Sequence, residues 1–258
     1  MRDFLDDAHA HRDDGYGRVQ AKEQRELPKR FYKEALVVPA EDGFAVALDG
    51  RIPKTPGFKP VTVPNEAIAA SLAEEWSAQG EFIDPQTMPM VRLVNSAVEA
   101  GEESRPALRD EILKYVASDL LLYRADSPDS LVRRQEELWD AVLVSLARKF
   151  GVAFQPTVGI LHQAQPPATL TKLAALLEPE ALLPVTAMNA MMNITGSGLL
   201  PIAHRHGLLT PEEMWVAAHV DEDHNVGLWG EVEEITTRRA KRRTEFDAAT
   251  RLLALASA

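Results

Sequence analysis

An α+β fold, with a small N-terminal antiparallel β domain followed by a larger multi-helical C-terminal domain, is predicted from three observations. Apolar residues alternate between Arg30 and Pro64, two Asp-Gly pairs punctuate that stretch, and beyond Pro64 the apolar period lengthens to three or four. The change of period divides the chain into an N-terminal arm (1–27), a β-rich domain (28–64) and a helical domain (65–258).

The arm is charged and aperiodic, which predicts a mobile segment outside any core. In "RFYKEALVVPAEDGFAVALDGRIPKTPGFKPVTVP", Tyr32, Leu36 and Val38, then Phe44, Val46 and Leu48, are predicted to line one strand face each. Asp42-Gly43 and Asp49-Gly50 are hairpin signals, because glycine takes the positive φ of a type I′ turn. Pro53, Pro56 and Pro60 cannot donate ladder hydrogen bonds, so that part is expected at an edge or corner.

Asn65 caps a predicted helix through Ile68, Leu72 and Trp76 that stops at Gly80. Met90, Leu93, Val94, Ala97 and Val98 mark a second. Ser104 opens a third through Ile112 to Leu122, and a fourth runs from Ser130 to a stop at Gly151. "GVAFQPTVGILHQAQPP" reads as mostly loop. Helices are predicted over 168–177, 180–194 and 199–206, followed by Thr210-Pro211-Glu212-Glu213, a capping box with proline at the first helical position. The last helix is expected from Glu231 to Leu255.

Composition narrows the chemistry. With 28 Lys and Arg against 39 Asp and Glu, the formal net charge of −11 repels nucleic acid and anionic lipid and favours a basic or amphiphilic protein surface as partner. The absence of cysteine excludes disulfides, thiolate zinc sites and cysteine nucleophiles. No apolar run approaches the roughly 18–20 residues that span a bilayer, so no membrane insertion is expected. The N-terminus has neither an apolar signal core nor the acid-poor character of a transit peptide, which predicts a bacterial cytoplasmic protein.

The densest polar stretch is "HVDEDHNVGLWGEVEE", His219 to Glu234. Asp221, Asp223 and Asn225 have the spacing of a calcium loop, but glycine falls at the seventh place and Val232 at the twelfth, where a bidentate glutamate is required. His219 and Asp223 lie four apart without a His-Glu-x-x-His pattern. No metal and no cofactor are therefore expected. A hydrolase or metal-dependent enzyme using Asp221, Asp223, His219 and His224 is the alternative, and it lacks a nucleophile, a glycine cradle and a ligand motif.

Weaker signals have plainer readings. His204 and His206 point apart on a helix and read as solvated; "ITGSG" from Ile194 is a hinge, not a phosphate loop; Met188, Met191 and Met192 form a core stripe. "RRAKRR", Arg238 to Arg243, is a solvated surface in which Glu234 and Arg238 are spaced to pair. Glu231, Glu233 and Glu234 suit the first turn of the last helix. Asp221, Glu222 and Asp223 read as the C-terminal end of the preceding helix, before a break at Gly227. The helix dipole opposes anions there, so their presence suggests a binding role, and neutralising them is expected to leave the fold intact or firmer. Trp229, beside the break, is expected to pack inside.

The strings "RFYKEALV", "LDGRIPKTP", "EEWSAQGEFIDPQTMPMVRLVNSA", "DLLLYRA", "RQEELWD" and "DEDHNVGLWGEVE" resemble, in order, those of the assembly chaperones for the α subunit of the F-type ATP synthase catalytic head. The resemblance runs from Arg30 to Glu233, and "DGRIPKTP" and "TMPMVRLVN" are its specific parts. It implies the same α+β architecture and a non-catalytic activity: binding the unassembled α subunit on the apolar surface later covered by β. The family's acid-rich segment falls on Asp221, Glu222 and Asp223, and its Trp-Gly-x-x-Glu on Trp229, Gly230 and Glu233, with Glu231 between. Where many members carry an aromatic residue, Gln and Ile after the acids, this chain has His224, Asn225 and Val226.

Overall fold

The computed structural model describes residues 27–256, so the segment read as an N-terminal arm lies almost wholly outside the described residues. Two compact units are present: residues 27–31 with Gln79–Asp84, and Tyr32–Ala78 with residues 85–256. The small unit is a backbone clasp. The Arg30 N–H donates to the Glu81 carbonyl at 2.8 Å, and the Ile83 N–H donates to the Pro28 carbonyl at 2.9 Å.

In the large unit, β1 (Ala35–Ala40) and β2 (Gly43–Leu48) pair antiparallel from Ala40↔Gly43 to Ala35↔Leu48, leaving Glu41-Asp42 as a two-residue loop. Asp49-Gly50 forms a second tight turn, in which Leu48 and Arg51 exchange backbone hydrogen bonds of 2.8 and 3.0 Å. Its φ values of 47° and 82° are the positive pair that a type I′ turn requires. The expected alternation fails. Ala45, Val46, Ala47 and Leu48 are all buried, whereas Leu36 is exposed. Successive residues of β2, which point to opposite faces, are buried alike, and a strand covered on both faces need not alternate.

The proline-rich stretch closes as a small turn between Lys54 and Pro60. The Thr55 N–H donates to the Lys59 carbonyl at 2.9 Å, and the Phe58 N–H to the Thr55 carbonyl at 2.8 Å. Phe58 takes a φ of 66°, a left-handed conformation that costs a non-glycine residue about 1–2 kcal/mol.

Helix α1 (Glu66–Ser77) packs on the hairpin, and the Asn65 side chain accepts from the Ile68 N–H at 2.9 Å, the predicted cap. Helix α2 (Pro89–Ala100) has no cap of its own. Glu75 of α1 supplies one, accepting from the Met90 and Val91 N–H groups at 2.9 and 2.8 Å. Helix α3 (Arg105–Ala117) ends earlier than its apolar spacing suggests, and Leu120–Leu122 follows as a separate 3₁₀ turn capped by Asp119. The fourth predicted helix is α4 (Asp129–Gln135), a π turn (Glu136–Asp140) and α5 (Ala141–Phe150), ending at Gly151. The following loop carries only β4 (Thr157–Val158), parallel to β3 (Tyr123–Arg124).

Helices α6 (Pro167–Leu177), α7 (Leu182–Thr195), α8 (Leu199–Arg205), α9 (Pro211–Ala218), α10 (Val220–Trp229) and α11 (Glu233–Ala256) complete the chain. The core centres on α7, which packs against α2, α3, α8 and α11 and buries Met188, Met191 and Met192, as the stripe predicts. After α7 the chain turns through Gly196 to Gly198, and a Cβ at Gly198 would lie 2.7 Å from the Ile112 carbonyl oxygen, so only glycine lets α8 approach α3. Around this hinge sits a carboxylate that the sequence reading overlooked. Asp119, fully buried, accepts from the Ser197 hydroxyl at 2.7 Å, the Gly198 and Leu199 N–H groups at 2.7 and 2.9 Å, and the Leu121 N–H at 3.1 Å. The glycine-rich segment does cradle an anion, and it is the chain's own.

Candidate partner-binding site

The predicted capping box starts α9: Thr210 accepts from the Glu213 N–H at 3.2 Å while the Glu213 carboxylate accepts from the Thr210 N–H at 2.8 Å. The helix ends at Ala218, and the chain turns at His219 before α10 begins. His219 is buried. Its Nδ1–H donates to the Trp215 carbonyl at 2.7 Å, its ring lies 4.0 Å from that of Trp215, and burial holds it below the ordinary histidine range, which favours the neutral ring.

This turn corrects the placement of the acids. Asp221, Glu222 and Asp223 occupy the first turn of α10, where the helix dipole favours anions. A single helix had been read across what are two, because nothing in the apolar spacing marks His219 as a break. The acids also have partners within the fold. Asp223 pairs with Arg239 at 2.5 Å, Glu222 with Arg242 at 3.4 Å, and Asp221 accepts from the Gln135 side chain at 2.8 Å. The basic run on α11 is thus a row of counter-ions, with Arg243 joining Glu212 at 2.7 Å and Asp247 at 2.8 Å. These pairs replace the expected Glu234–Arg238 contact as the feature that organises the run. Being partly solvated, each pair contributes about 0.2–1 kcal/mol.

Beyond that paired turn the two helices leave the body. Helix α10 continues through Gly227, the predicted break, to Trp229, and stops at Gly230, whose φ is 82°. Helix α11 begins at Glu233, so Glu231 precedes it while Glu233 and Glu234 occupy its first turn. Every residue from Gly227 to Arg238 is exposed. Trp229, expected inside, is 84 % exposed, and Leu228 and Val232 are 59 % and 54 % exposed. No other element of the large unit reaches far enough to cover them. The result is a helical hairpin whose tip carries Leu228, Trp229, Val232 and Ile235 beside Glu231, Glu233 and Glu234.

At the base of the hairpin, a groove of about 310 Å³ is lined by Leu138 of the π turn and by Val216, Val220, Asp223 and His224. Gln135, the buried last residue of α4, bonds both Asp221 and the Ala125 N–H, and the π turn buries Trp139, whose indole N–H donates to the Ala217 carbonyl at 2.7 Å. Among the described residues no group of three or more His, Asp or Glu side chains is placed to hold a metal ion. His204 and His206 are half-buried instead of solvated, His204 through a 2.8 Å contact with the Leu209 carbonyl and His206 through its ring against Phe150.

Known proteins share this architecture over most of its length. The Atp12 structure from Paracoccus denitrificans is 33 % identical, superimposes with a TM-score of 0.82, and aligns over 89 % of this chain and 98 % of its own. This chain belongs to the ATP12 chaperone family. The family pattern for ATP12 chaperone proteins matches residues 29–147, which takes in the β hairpin, the Phe58 turn, α1 to α4 and most of α5. The Atu1473 structure from Agrobacterium tumefaciens is 40 % identical, with a TM-score of 0.85 over 88 % of this chain and 86 % of that one. The mitochondrial atp12 protein of Schizosaccharomyces pombe is 21 % identical over 218 residues, 80 % of this chain and 75 % of its own. ATP12 proteins are chaperones, not an enzyme family, in agreement with the resemblance carried by the sequence strings.

Proposed function

We propose that this ATP12-family chain is a non-catalytic assembly chaperone that binds the unassembled α subunit of the F-type ATP synthase, shields its β-facing apolar surface, and does so with the tip of the α10–α11 hairpin. The observation that carries the reading is Trp229, 84 % exposed at the end of a projecting hairpin. Large aromatics left in water are the residues that dominate binding energy once a partner desolvates them. Leu228 and Val232 extend the apolar contact, while Glu231 and Glu233, exposed at the same tip, suit a basic rim around the partner's apolar surface.

In this reading Asp221, Glu222 and Asp223 act at a distance. Their intramolecular pairs leave Asp221 and Asp223 partly in solvent, where they add to the negative field that draws a basic partner in. No cofactor or metal takes part. The test is direct: purified α subunit is incubated with the chaperone, and both its solubility and complex formation are followed by light scattering and gel filtration. Wild type is expected to hold the subunit in solution without nucleotide or metal, and Trp229→Ser to lose this while melting at the wild-type temperature. A Trp229→Ser protein that binds normally removes the hairpin tip from the contact; a wild-type protein that leaves the α subunit to aggregate removes the function.

A further inference from the structure

Far along the sequence from the hairpin, the Thr55–Lys59 turn displays Phe58 80 % exposed, at a φ of 66°. A phenylalanine in the left-handed region is unusual, since glycine and asparagine take that conformation at little cost. Nothing within the large unit offsets it through packing, because the ring lies almost wholly in water. The strained residue sits in a turn that is held firmly. The Glu99 carboxylate accepts from the Thr55 hydroxyl and the Gly57 N–H, and these bonds, the first more than the second, draw its pKa below the ordinary range. Lys59 donates to the Glu99 and Val98 carbonyls at 2.7 and 3.4 Å, at the C-terminal end of α2, where a cation suits the helix dipole. The turn is thereby fixed to a rigid helix before any partner arrives.

Charge distinguishes this surface from the hairpin tip. Arg51 and Lys54, in the segment leading into the turn, are exposed and have no ion-pair partner among the described residues, although the chain as a whole carries a net charge of −11. The tip around Trp229 is apolar and acidic; at the turn around Phe58 the exposed cations Arg51, Lys54 and Lys59 outnumber the one carboxylate, Glu99, that the turn binds. One flat partner surface of a single charge sign cannot complement both.

We propose that Phe58 is a second, preorganised anchor, which enters an apolar, acid-rimmed pocket on the folded protein that the chaperone holds. The proposal rests on the chaperone reading and adds a contact to it. A locked turn binds without the ordering cost that a loose loop would incur, which accounts for strain in a side chain that stabilises nothing in the free protein. Lys54 and Arg51 steer the approach, so this contact weakens with salt independently of the acidic tip.

Binding of purified ATP synthase α subunit, with purified β subunit as a parallel probe, tests it by titration calorimetry alongside thermal melting. Phe58→Asn keeps a residue that accepts the left-handed conformation and removes the ring; it is expected to melt at or above the wild-type temperature and to bind at least tenfold more weakly. If Phe58→Asn melts lower, Phe58→Gly, which relieves the backbone directly, provides the same comparison. Lys54→Glu is expected to slow association several-fold at low salt and to match wild type at high salt. Full affinity in Phe58→Asn or Phe58→Gly, with wild-type binding intact, overturns the anchor and leaves the function standing. A wild-type protein that does not bind the α subunit overturns both, whatever it does with β.

Discussion

Asp119 and the trio Asp221, Glu222 and Asp223 are both clusters of negative charge answered by donors of the same chain, and they do opposite work. Asp119 is wholly buried and accepts from the hydroxyl of Ser197 and the N–H groups of Gly198 and Leu199, at the hinge and the start of α8, and from the N–H of Leu121 in the neighbouring 3₁₀ turn. The trio lies at the surface, paired through side chains that remain half in water. A buried carboxylate removed from its donors leaves each of them unsatisfied, whereas a surface carboxylate leaves its partner to the solvent. The first therefore holds the fold, and the second adjusts a field.

Breaking the buried member should have the largest effect. Asp119→Ala leaves four donors without an acceptor and is expected to cost at least about 3 kcal/mol. For a chain of this size that lowers Tm by roughly 6–12 °C. A Tm within 2 °C or so of wild type would show that the hinge finds other acceptors.

Acidity sharpens the same contrast. Burial pushes the Asp119 carboxyl up to about 6, against hydrogen bonds from Leu199, Ser197, Leu121 and Gly198 that pull it down. A folded pKa above the unfolded one favours the protonated native state. The resulting stabilisation is complete below about 3.8 and is lost as pH rises through about 6. Relative to Asp119→Asn, wild type should thus lose roughly 2–3 kcal/mol between pH 4 and 7. Denaturant titrations of both proteins across that range measure it, and parallel pH profiles would contradict it.

Neutralising Asp221, Glu222 and Asp223 together as Asn, Gln and Asn should cost less, roughly 1–2 kcal/mol at low salt and little at high salt. This reverses the expectation drawn from the sequence, because the acids stand at the favourable end of α10 and face Arg239 and Arg242. Melting in a salt series checks the sign, and slower, less salt-sensitive association with the α subunit is the expected functional counterpart. The smallest change in stability belongs to Trp229→Ser, within about 0.5 kcal/mol of wild type, since the ring touches little that is buried. A marked fall in Tm would mean that the tryptophan packs within the fold after all.

What the sequence determined by itself was local. The Asn65 cap, the Thr210–Glu213 capping box, the Asp49-Gly50 turn and the order of a β hairpin before many helices all follow from residues within four positions of each other, which is the range over which a backbone hydrogen bond or a turn chooses its residue types. The methionine stripe was legible for the same reason, because helical period reports one buried face. Family strings likewise carried the family assignment, because they are read residue by residue along the chain. Only the tertiary structure decided what those residues face. Whether Trp229 is covered depends on how far other helices reach. The partner of Asp119 lies 78 positions away in Ser197, and Gln135 meets Asp221 across 86. Burial and charge pairing are set by which surfaces the packed helices bring together, and no local period carries that information.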